Sequence, residues 1–469
     1  MPAFSVVCPL PSLRVLVCLF GTCFHNLDVK ATAGLSLHLN HNTTTISIMK
    51  DGHLFSHVKS GSLSGWGMNS YNNEKTDIYT TVAAKVHSFV APYALGRNFS
   101  SAADIDAFSN TVWRKNYKRT GTLLARALAG VDTALYDLLG KSLNRSVCSL
   151  TADLLGGTCR MRVPVYGSNG DRHKKPKDIV ANAVNNRDKY GVQAFKFQIA
   201  NRMGADVDIK PNRTEELIPL ARQQLGPSIT LMVDANGGYD NYSHASRISK
   251  LLIQHNYTSV LRLILYADLP FLVPKLKLQS LAPTPCSRSH TLIRTSWFEE
   301  PFPFWEYTLA SNLLEEVKPQ GLGIALGEQE YRLDVWERNI HAMQYAQPDV
   351  HYIGGFSRTL RVAKMSILAN TTLVPHSPNP SMIDVFAVAL MAAAPNAFEY
   401  MEFDAINTKH PPSGNQFFVE KVFELDETDG TMAVPQGAGW GVTLRPGLLS
   451  DAVNQTSHAA QHHHDQTIL

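Results

Sequence analysis

Cysteine is scarce and unevenly placed in this chain, which has six cysteines in 469 residues. Four of the six lie in the first 23 residues or in an unusual middle stretch, which leaves two for the rest of the chain. Their positions are Cys8, Cys18, Cys23, Cys148, Cys159 and Cys286. This distribution argues against a disulfide framework and against a metal site built from paired CxxC motifs.

The sequence also lacks a hydrophobic run that approaches the ~20 apolar residues needed to span a bilayer. The run Val15–Phe20, preceded by Arg14, imitates a secretory signal only poorly, because the run is short and the residues before Arg14 include no charged side chain. Eight Asn-x-Ser/Thr triplets would suit a secreted glycoprotein, but such triplets also arise by chance in a sequence with this much Asn, Ser and Thr. We therefore expect a cytoplasmic protein that does not act at a membrane.

Neither sign of charge is in large excess, since 43 Lys and Arg stand against 40 Asp and Glu, for a formal charge of +3. No basic run is interleaved with aromatic residues, which argues against nucleic acid as a partner. With 44% hydrophobic and 18% charged residues, the chain can bury a large core, and disorder is excluded. One large domain with a smaller one is the natural expectation for this length.

From about residue 163 onward, short apolar runs that end in polar residues alternate with helical stretches. The runs are VPVYGS (163–168), AFKFQI (194–199), ITLMVDAN (229–236), WFEEP (297–301), LGIALGE (322–328), QPDV (347–350), TLVPHS (372–377) and AFEYMEF (397–403). Eight such runs indicate parallel strands with crossover helices, and their number suggests closure into a (β/α) barrel. In such a barrel, polar residues at the carboxyl ends of the strands face the active site.

Upstream of the barrel, an amphipathic helix is predicted over Leu123–Leu139, and residues 64–93 suggest a separate α+β lobe, although no clear strands are found before Ser60. The predicted domains are an unplaced or signal-like extension at 1–45, an α+β capping domain with a linker helix at 46–160, the barrel at 161–448 and a polar tail at 449–469. The His462–His464 run in that tail is interpreted as a disordered end rather than a metal site.

One spacing departs from the barrel pattern. Asp234 and Glu299 lie 65 residues apart, whereas a barrel of ~250 residues has ~31 residues in each unit. The excess lies in residues 259–295, which carry five basic residues against one acid, and without them the formal charge falls from +3 to −1. We interpret this 37-residue segment as an insertion, such as translated intron sequence, and the alternative is a genuine extra loop.

Three acids stand at the predicted ends of three successive strands: Asp234, Glu299 and Glu328. Carboxylate oxygens are the ligands that Mg²⁺ prefers, and three of them leave positions for a bidentate substrate. A single acid at a strand end is as often a solvated residue as a functional one, so the prediction rests on the three together. The adjacent Glu300 is expected to point the other way.

Asp349 and His376 end the sixth and seventh runs, which are neighbours in a barrel. A carboxylate beside an imidazole orients it and raises its pKa, so this pair is predicted to act as a general base. A lone histidine is more often structural, and His341 and His351 fit that interpretation. Lys196, on the second strand, is either a second base with a lowered pKa or, more simply, a cation that neutralises the acids.

The motifs together resemble the mandelate racemase/muconate-lactonising branch of the enolase superfamily, over roughly residues 65–448 apart from the insertion. They are ALAGVDTALYDLLGK (127–141), LLGG (154–157), FKFQI (195–199), VDAN (233–236), WFEEP (297–301), GE (327–328), QPDVHYIGG (347–355) and PHS (375–377). The resemblance implies a modified TIM (β/α) barrel after an α+β capping domain, with Mg²⁺ on Asp234, Glu299 and Glu328. It also implies a homo-oligomer, a small carboxylate substrate, and removal of the proton α to that carboxylate to give an enediolate.

One departure from the family narrows the expected activity. The family usually has Lys-x-Lys on the second strand with the second lysine as base, but this chain has Lys196-Phe197-Gln198. Because Gln198 cannot take a proton, a dehydratase of a sugar acid that works through His376 and Asp349 is expected, with Gln198, Asn236 and Glu402 contacting substrate. The alternatives are a racemase or epimerase that uses Lys196, and a homologue that has lost activity.

Overall fold

The computed structural model describes residues 43–48, 53–70, 76–169, 171–258, 296–378, 380–404 and 417–458. The signal-like segment, the interpreted insertion at 259–295 and the His462–His464 run lie outside these residues. Among the helices that are described, none is both long and apolar enough to cross a membrane.

The first part of the fold is an antiparallel sheet that joins both ends of the described chain. Its strand order is β13-β1-β2-β3. The strands are β1 (Thr43–Ile48), β2 (Leu54–Ser60), β3 (Leu63–Ser70) and β13 (Val453–His458). The sequence did not predict β1 and β2 before Ser60, nor a strand in the polar tail. For β1 (TTTISI) and β13 (VNQTSH) the reason is that strands rich in Thr, Ser and Asn lack the apolar pattern that marks a buried strand, whereas β2 buries Leu54, Phe55 and Val58 and could have been found.

Five helices complete this α+β unit. They are α1 (Thr76–Lys85), α2 (Ala91–Ala94), α3 (Ala102–Lys115), α4 (Thr122–Ser142) and α5 (Val147–Leu155), with a π-helical segment, Val86–Val90, between α1 and α2. The predicted amphipathic helix is α4, which packs against β3. A Cβ atom on Gly67 would collide with the backbone oxygen of Gly130, so glycine permits the close approach of β3 and α4.

Eight parallel strands form the second part of the fold, in the order β10-β9-β8-β7-β6-β5-β4-β11. They are β4 (Arg162–Asn169), β5 (Ala194–Gln198), β6 (Thr230–Asp234), β7 (Ser296–Glu299), β8 (Leu322–Leu326), β9 (Tyr345–Ala346), β10 (Thr372–Leu373) and β11 (Met401–Phe403). A parallel bridge between Leu373 and Ala397 links the two ends of this path. The short β12 (Thr431–Ala433) pairs with β4 antiparallel. The predicted fold class, a modified (β/α) barrel with an α+β capping domain, is confirmed.

Helices connect the barrel strands. They are α6 (Pro176–Tyr190), α7 (Arg213–Leu225), α8 (Tyr242–Gln254), α9 (Tyr307–Val317), α10 (Leu333–Asn339), α11 (Val350–Ile353), α12 (Phe356–Leu368) and α13 (Met382–Ala393). One predicted strand, QPDV (347–350), is wrong. The strand ends at Ala346, and Asp349 caps α11 by accepting hydrogen bonds from the backbone N–H groups of His351 (2.7 Å) and Tyr352 (3.0 Å).

Aromatic side chains fill the barrel interior. The indole of Trp297 contacts the rings of Tyr166, Tyr345 and Phe398, with centroids 5.5, 5.0 and 5.0 Å away. These four side chains are almost completely buried. Packing of this kind makes the interior a solid core and leaves the carboxyl ends of the strands as the open face.

A disulfide joins Cys148 on α5 to Cys159, just before β4, across a sequence separation of 11 residues. The sequence analysis expected no disulfide framework, and this single crosslink is the difference. The Cα atoms are 5.6 Å apart, so the bond ties α5 to the chain that enters the barrel.

Candidate active site

A cavity of about 620 Å³ opens at the carboxyl ends of the barrel strands. Its lining includes seven of the residues that the sequence singles out: Lys196, Gln198, Asp234, Asn236, Glu328, His376 and Glu402. Two others, Glu299 and Asp349, do not line the cavity and instead bond to residues that do. The strands bring these residues together because neighbouring strand ends share a level, with Gln198 beside Asp234 and Asp234 beside Glu299 in the sheet register.

His376 is held between two carboxylates. Its Nδ1 lies 2.8 Å from Asp349 Oδ2, and its Nε2 lies 3.3 Å from Glu328 Oε2. Asp349 is itself held in place as the N-cap of α11, so its contact with His376 restricts rotation of the imidazole ring. Nε2 is therefore the ring nitrogen on the side of Glu328, which lines the cavity.

Burial alone would lower the pKa of His376, but the Glu328 carboxylate and the hydrogen bond with Asp349 outweigh it and raise the pKa to about 10. The direction agrees with the sequence analysis, which expected the carboxylate partner to raise the pKa. The imidazole is therefore protonated near neutral pH while Glu328 and Asp349 are its partners.

Lys196 ties two buried carboxylates together. Its Nζ lies 2.8 and 3.0 Å from the two carboxylate oxygens of Glu299 and 2.9 Å from Glu402 Oε1. Burial would lower the pKa of this lysine, yet Glu299 and Glu402 raise it well above its ordinary value. A second base would need the opposite shift, so the contacts favour the interpretation of Lys196 as a neutralising cation.

The Glu299 carboxylate is fully engaged inside the barrel. Besides Lys196, its Oε2 accepts hydrogen bonds from Trp297 Nε1 (2.9 Å) and Gln347 Nε2 (2.8 Å). Burial raises the pKa of Glu299 above its usual range, Lys196 opposes that rise, and Asp234 adds to it. Gln347 belongs to the run 347–350, but nothing in the sequence marked it as a partner of Glu299.

Glu402 contacts both β4 and the loop that carries His376. Ser168 Oγ donates to Oε1 (2.8 Å), and the backbone N–H of Ser377 donates to Oε2 (2.9 Å). Burial raises the pKa of Glu402, but Lys196 and His376 lower it to about 2. This carboxylate is therefore ionised, and it links Lys196 to the loop that carries His376.

Glu300 differs from its expected orientation. The sequence predicts that it points away from the site, whereas its side chain lines the cavity beside Asp234 and Glu328. Its backbone has φ +37°, in the left-handed region, which breaks the alternation of side chains along a strand. Burial raises its pKa well above the ordinary value, and the nearby Glu328 and Asp234 raise it further.

The donor set suits a hard divalent cation, because the cavity wall carries the carboxylates of Asp234, Glu300 and Glu328, and Glu300 Oε1 is buried without a hydrogen-bond partner. In the described part of the chain, no group of three or more acid, His or Cys side chains is already arranged to hold a metal ion. Two of the acids are paired with basic side chains, Glu299 with Lys196 and Glu328 with His376.

Asn236 presents its amide in one orientation. Arg172, which follows β4 and is buried, donates from Nη2 to Asn236 Oδ1 at 2.6 Å. The Asn236 carbonyl oxygen is thus engaged, so its N–H groups are the part of the amide available to the cavity. Arg172 carries no motif that sequence reasoning could have used.

Further lining residues come from places that the strand-end rule does not cover. Arg126 lies on α4 of the capping unit, and Arg202, Met203 and Phe304 lie on loops that follow strands. His351, which the sequence analysis interpreted as structural, also lines the cavity, and burial lowers its pKa to about 4. Ser168 also lines the cavity, and because it lies near the end of β4 the strand-end rule could have found it.

Two family descriptions match this chain. Residues 32–156 match the N-terminal domain of the mandelate racemase/muconate lactonizing enzyme family, and residues 288–448 match the enolase C-terminal domain-like family. The two matches fall on the capping unit and on the second half of the barrel.

Similar proteins of known name include sugar-acid enzymes. A D-galactonate dehydratase of Klebsiella pneumoniae (strain 342) is 26% identical over 306 residues, which is 64% of this chain and 65% of that protein. A D-galactarolactone cycloisomerase of Agrobacterium fabrum is 25% identical over 336 residues, 69% of this chain and 73% of that protein. This chain thus covers slightly less than two thirds of the length of the dehydratase.

Solved structures agree on the fold. A protein of Roseobacter denitrificans is 29% identical with a TM-score of 0.72, over 89% of this chain and 100% of that chain. L-Talarate dehydratase of Polaromonas sp. JS666, solved with Mg and L-glucarate, is 20% identical with a TM-score of 0.65, over 90% and 99% of the two chains. With the barrel, the capping unit and both family matches, this chain belongs to the mandelate racemase/muconate lactonizing enzyme family of the enolase superfamily.

Proposed function

We propose that this protein is a Mg²⁺-dependent dehydratase of a sugar acid, which removes the proton α to the substrate carboxylate and then expels the β-hydroxyl. The observation that carries the proposal is the His376–Asp349 pair at the cavity, combined with Gln198 where the second strand would otherwise offer a base. Sugar-acid dehydratases among the similar proteins support the substrate class.

The cation would be held by Asp234, Glu299 and Glu328, the acids at the ends of β6, β7 and β8. When bound there, Mg²⁺ supplies a positive charge that offsets the negative charge developing on the substrate carboxylate, an effect of several kcal/mol in such sites. The chemistry of the donor set fits this ion, since it consists of carboxylate oxygens.

His376 is the group proposed to move the protons. With the Glu328 carboxylate engaged by the cation, the main cause of the raised pKa of His376 would be removed, and the neutral imidazole would accept the α-proton at Nε2, the nitrogen that is not bonded to Asp349. As an imidazolium, stabilised by Asp349, it then donates that proton to the departing hydroxyl on the same face. Glu402, Asn236 and Gln198 line the same cavity and would bind the substrate oxygens.

A racemase or epimerase needs an acid or base on each face of the α-carbon. Lys196 is the only candidate that the sequence offered on the second strand, and its two carboxylate partners raise its pKa. Gln198 cannot exchange a proton at all. The contacts therefore favour dehydration over racemisation.

The proposal is tested by incubating the purified chain, and a variant that lacks residues 259–295, with a panel of C5 and C6 aldonates and aldarates. We expect one or more acids to yield a 2-keto acid in the presence of Mg²⁺, and no product after chelation with EDTA. Formation of an epimeric acid without loss of water would instead identify a racemase. If neither protein converts any acid in the panel, the dehydratase assignment is contradicted in favour of an inactive homologue.

A further inference from the structure

The chain turns at the end of β7, and this turn places on the cavity wall an acid that a regular strand would point away from it. Successive side chains of a strand point to opposite faces, so Glu299 and Glu300 should diverge. At Glu300 the backbone enters the left-handed region, with φ +37°, and the side chain lines the same cavity as Asp234 and Glu328. The backbone is fixed in this shape by hydrogen bonds from Glu300 N to Ala325 O (3.0 Å) and from Gly237 N to Glu300 O (2.8 Å).

The two neighbouring glutamates have opposite surroundings. Glu299 accepts hydrogen bonds from Lys196, Trp297 and Gln347, so both of its oxygens are engaged by protein donors. Glu300 is just as buried, at 3% exposed, but its Oε1 has no hydrogen-bond partner. A buried carboxylate oxygen without a donor is unfavourable, so a positive group placed directly beside Glu300 would be stabilising.

Three protein cations near the cavity bond to groups other than Glu300. Lys196 bonds to Glu299 and Glu402, and His376 lies between Asp349 and Glu328. Arg172 directs Nη2 to Asn236, while its Nε and Nη1 are buried without a hydrogen-bond partner. None of these contacts is with Glu300, which lines the cavity together with two other acids.

We propose that Glu300 is a direct carboxylate ligand of the divalent cation, beside Asp234 and Glu328. This inference rests on the proposed function, which assigns the cation to Asp234, Glu299 and Glu328, and it adds a fourth carboxylate to that set. An octahedral ion with four protein carboxylates keeps two positions, which is the number that a bidentate carboxylate substrate requires. Lys196 offsets the charge of Glu299, so the added acid does not leave the site with four uncompensated charges.

The test measures binding of Mn²⁺, as a paramagnetic stand-in for Mg²⁺, by titration followed with electron paramagnetic resonance. We expect Glu300→Gln to weaken Mn²⁺ binding at least tenfold, and we expect the same of Asp234→Asn. Glu330→Gln is the matched control, because Glu330 is also a buried acid but bonds to Tyr307 Oη (3.0 Å) and Arg332 N (2.7 Å) and does not line the cavity. This control should bind Mn²⁺ within twofold of the unsubstituted protein.

A second measurement guards against a folding defect. Mg²⁺ should raise the thermal midpoint of the unsubstituted protein, and Glu300→Gln should reduce that rise while its metal-free midpoint stays unchanged or increases. If Glu300→Gln does not fold, Glu300→Asp, which keeps the charge but shortens the side chain, should show the weakened binding. Binding by the Glu300 variants within twofold of the unsubstituted protein would overturn the inference and leave the proposed function intact. If the unsubstituted protein binds no Mn²⁺, both fail.

Discussion

Lys196 illustrates how a single side chain sets the electrostatics of this site. It lies between the carboxylates of Glu299 and Glu402, and all three side chains are buried. A buried ion pair contributes little net stability when compared with an apolar core, but removal of one partner leaves an unpaired charge that is costly. The lysine thus supplies the positive charge that two buried acids share.

We therefore expect Lys196→Met to lower the free energy of unfolding by about 3–5 kcal/mol, because Glu299 and Glu402 would remain buried without their cation. Urea unfolding followed by circular dichroism measures the change. Lys364→Met, at an exposed position on α12, is the control and should change stability by less than ~0.5 kcal/mol. A loss no larger than that of the control would show that the contacts of Lys196 are not energetically important.

For individual residues, the sequence predicts which positions lie at the ends of strands, but it does not predict the direction of every side chain. Asp234 and Glu328 follow apolar runs, and the period of two places them at the open face. The alternation of side chains along a strand predicts that Glu300 lies on the opposite face, but Glu300 follows the last residue of β7, where that alternation no longer applies. A left-handed backbone at a non-glycine residue is set by tertiary hydrogen bonds, here with Ala325 and Gly237, and has no local sequence signal.

At the scale of elements, the contact between α4 and α12 depends on one buried acid. Asp132 on α4 accepts a hydrogen bond from the backbone N–H of Ser357 (3.0 Å) near the start of α12, while its other oxygen is buried without a partner. Burial raises the pKa of Asp132 to about 7, although the hydrogen bonds with Ser357 oppose the rise. This carboxyl group joins the capping unit to the barrel.

Because the pKa of Asp132 is higher in the folded state, its contribution to stability is fully present below its unfolded pKa, about 4, and is lost as pH rises toward 7. We expect Asp132→Asn to gain stability relative to the unsubstituted protein between pH 4 and pH 8, by up to ~4 kcal/mol. Thermal unfolding at both pH values measures this, with Asp178→Asn on the exposed face of α6 as control. A difference in stability between Asp132→Asn and the unsubstituted protein that does not change with pH would contradict the raised pKa of Asp132.

The elements with strong apolar patterns are the ones that the sequence predicts well. The runs before Asp234 and Glu299 are strands, and the heptad-like spacing over 123–139 is the buried helix α4. The pattern fails where local chemistry competes, as at Asp349, whose side chain caps α11 and turns an expected strand into a helix start. It also fails at β13, which pairs with β1 from the other end of the chain and has no apolar face of its own.

At the scale of the whole molecule, the connections between helices and strands bear on the interpreted insertion. Three connections that lead from a barrel helix to the next strand have three or four residues: 191–193, 226–229 and 369–371. After α8 the described chain runs through residues 255–258, and β7 begins at Ser296. Joining Thr258 to Ser296 would give a connection of four residues, within the usual range. We therefore expect the variant that lacks 259–295 to keep the barrel fold, which is why it accompanies the full chain in the substrate screen.

The capping unit and barrel together set what can enter the cavity. The lining combines strand-end groups, such as His376 and Glu328, with Arg126 from α4. A substrate that carries a carboxylate and several hydroxyl groups matches this mixture of acids, amides and guanidinium groups. The sequence predicts the catalytic half of that cavity better than the half that recognises the rest of the substrate, because loop residues follow no periodic pattern.

The central claim is that His376 removes the α-proton, and exchange of that proton with solvent tests it most directly. With Mg²⁺ and a sugar acid that the screen identifies, ¹H NMR in D₂O follows loss of the α-proton signal and formation of product. We expect His376→Asn to lower both rates by at least ~10²-fold, while the exposed His341→Asn keeps them. Retention of α-proton exchange in His376→Asn at the rate of the unsubstituted protein would contradict the account.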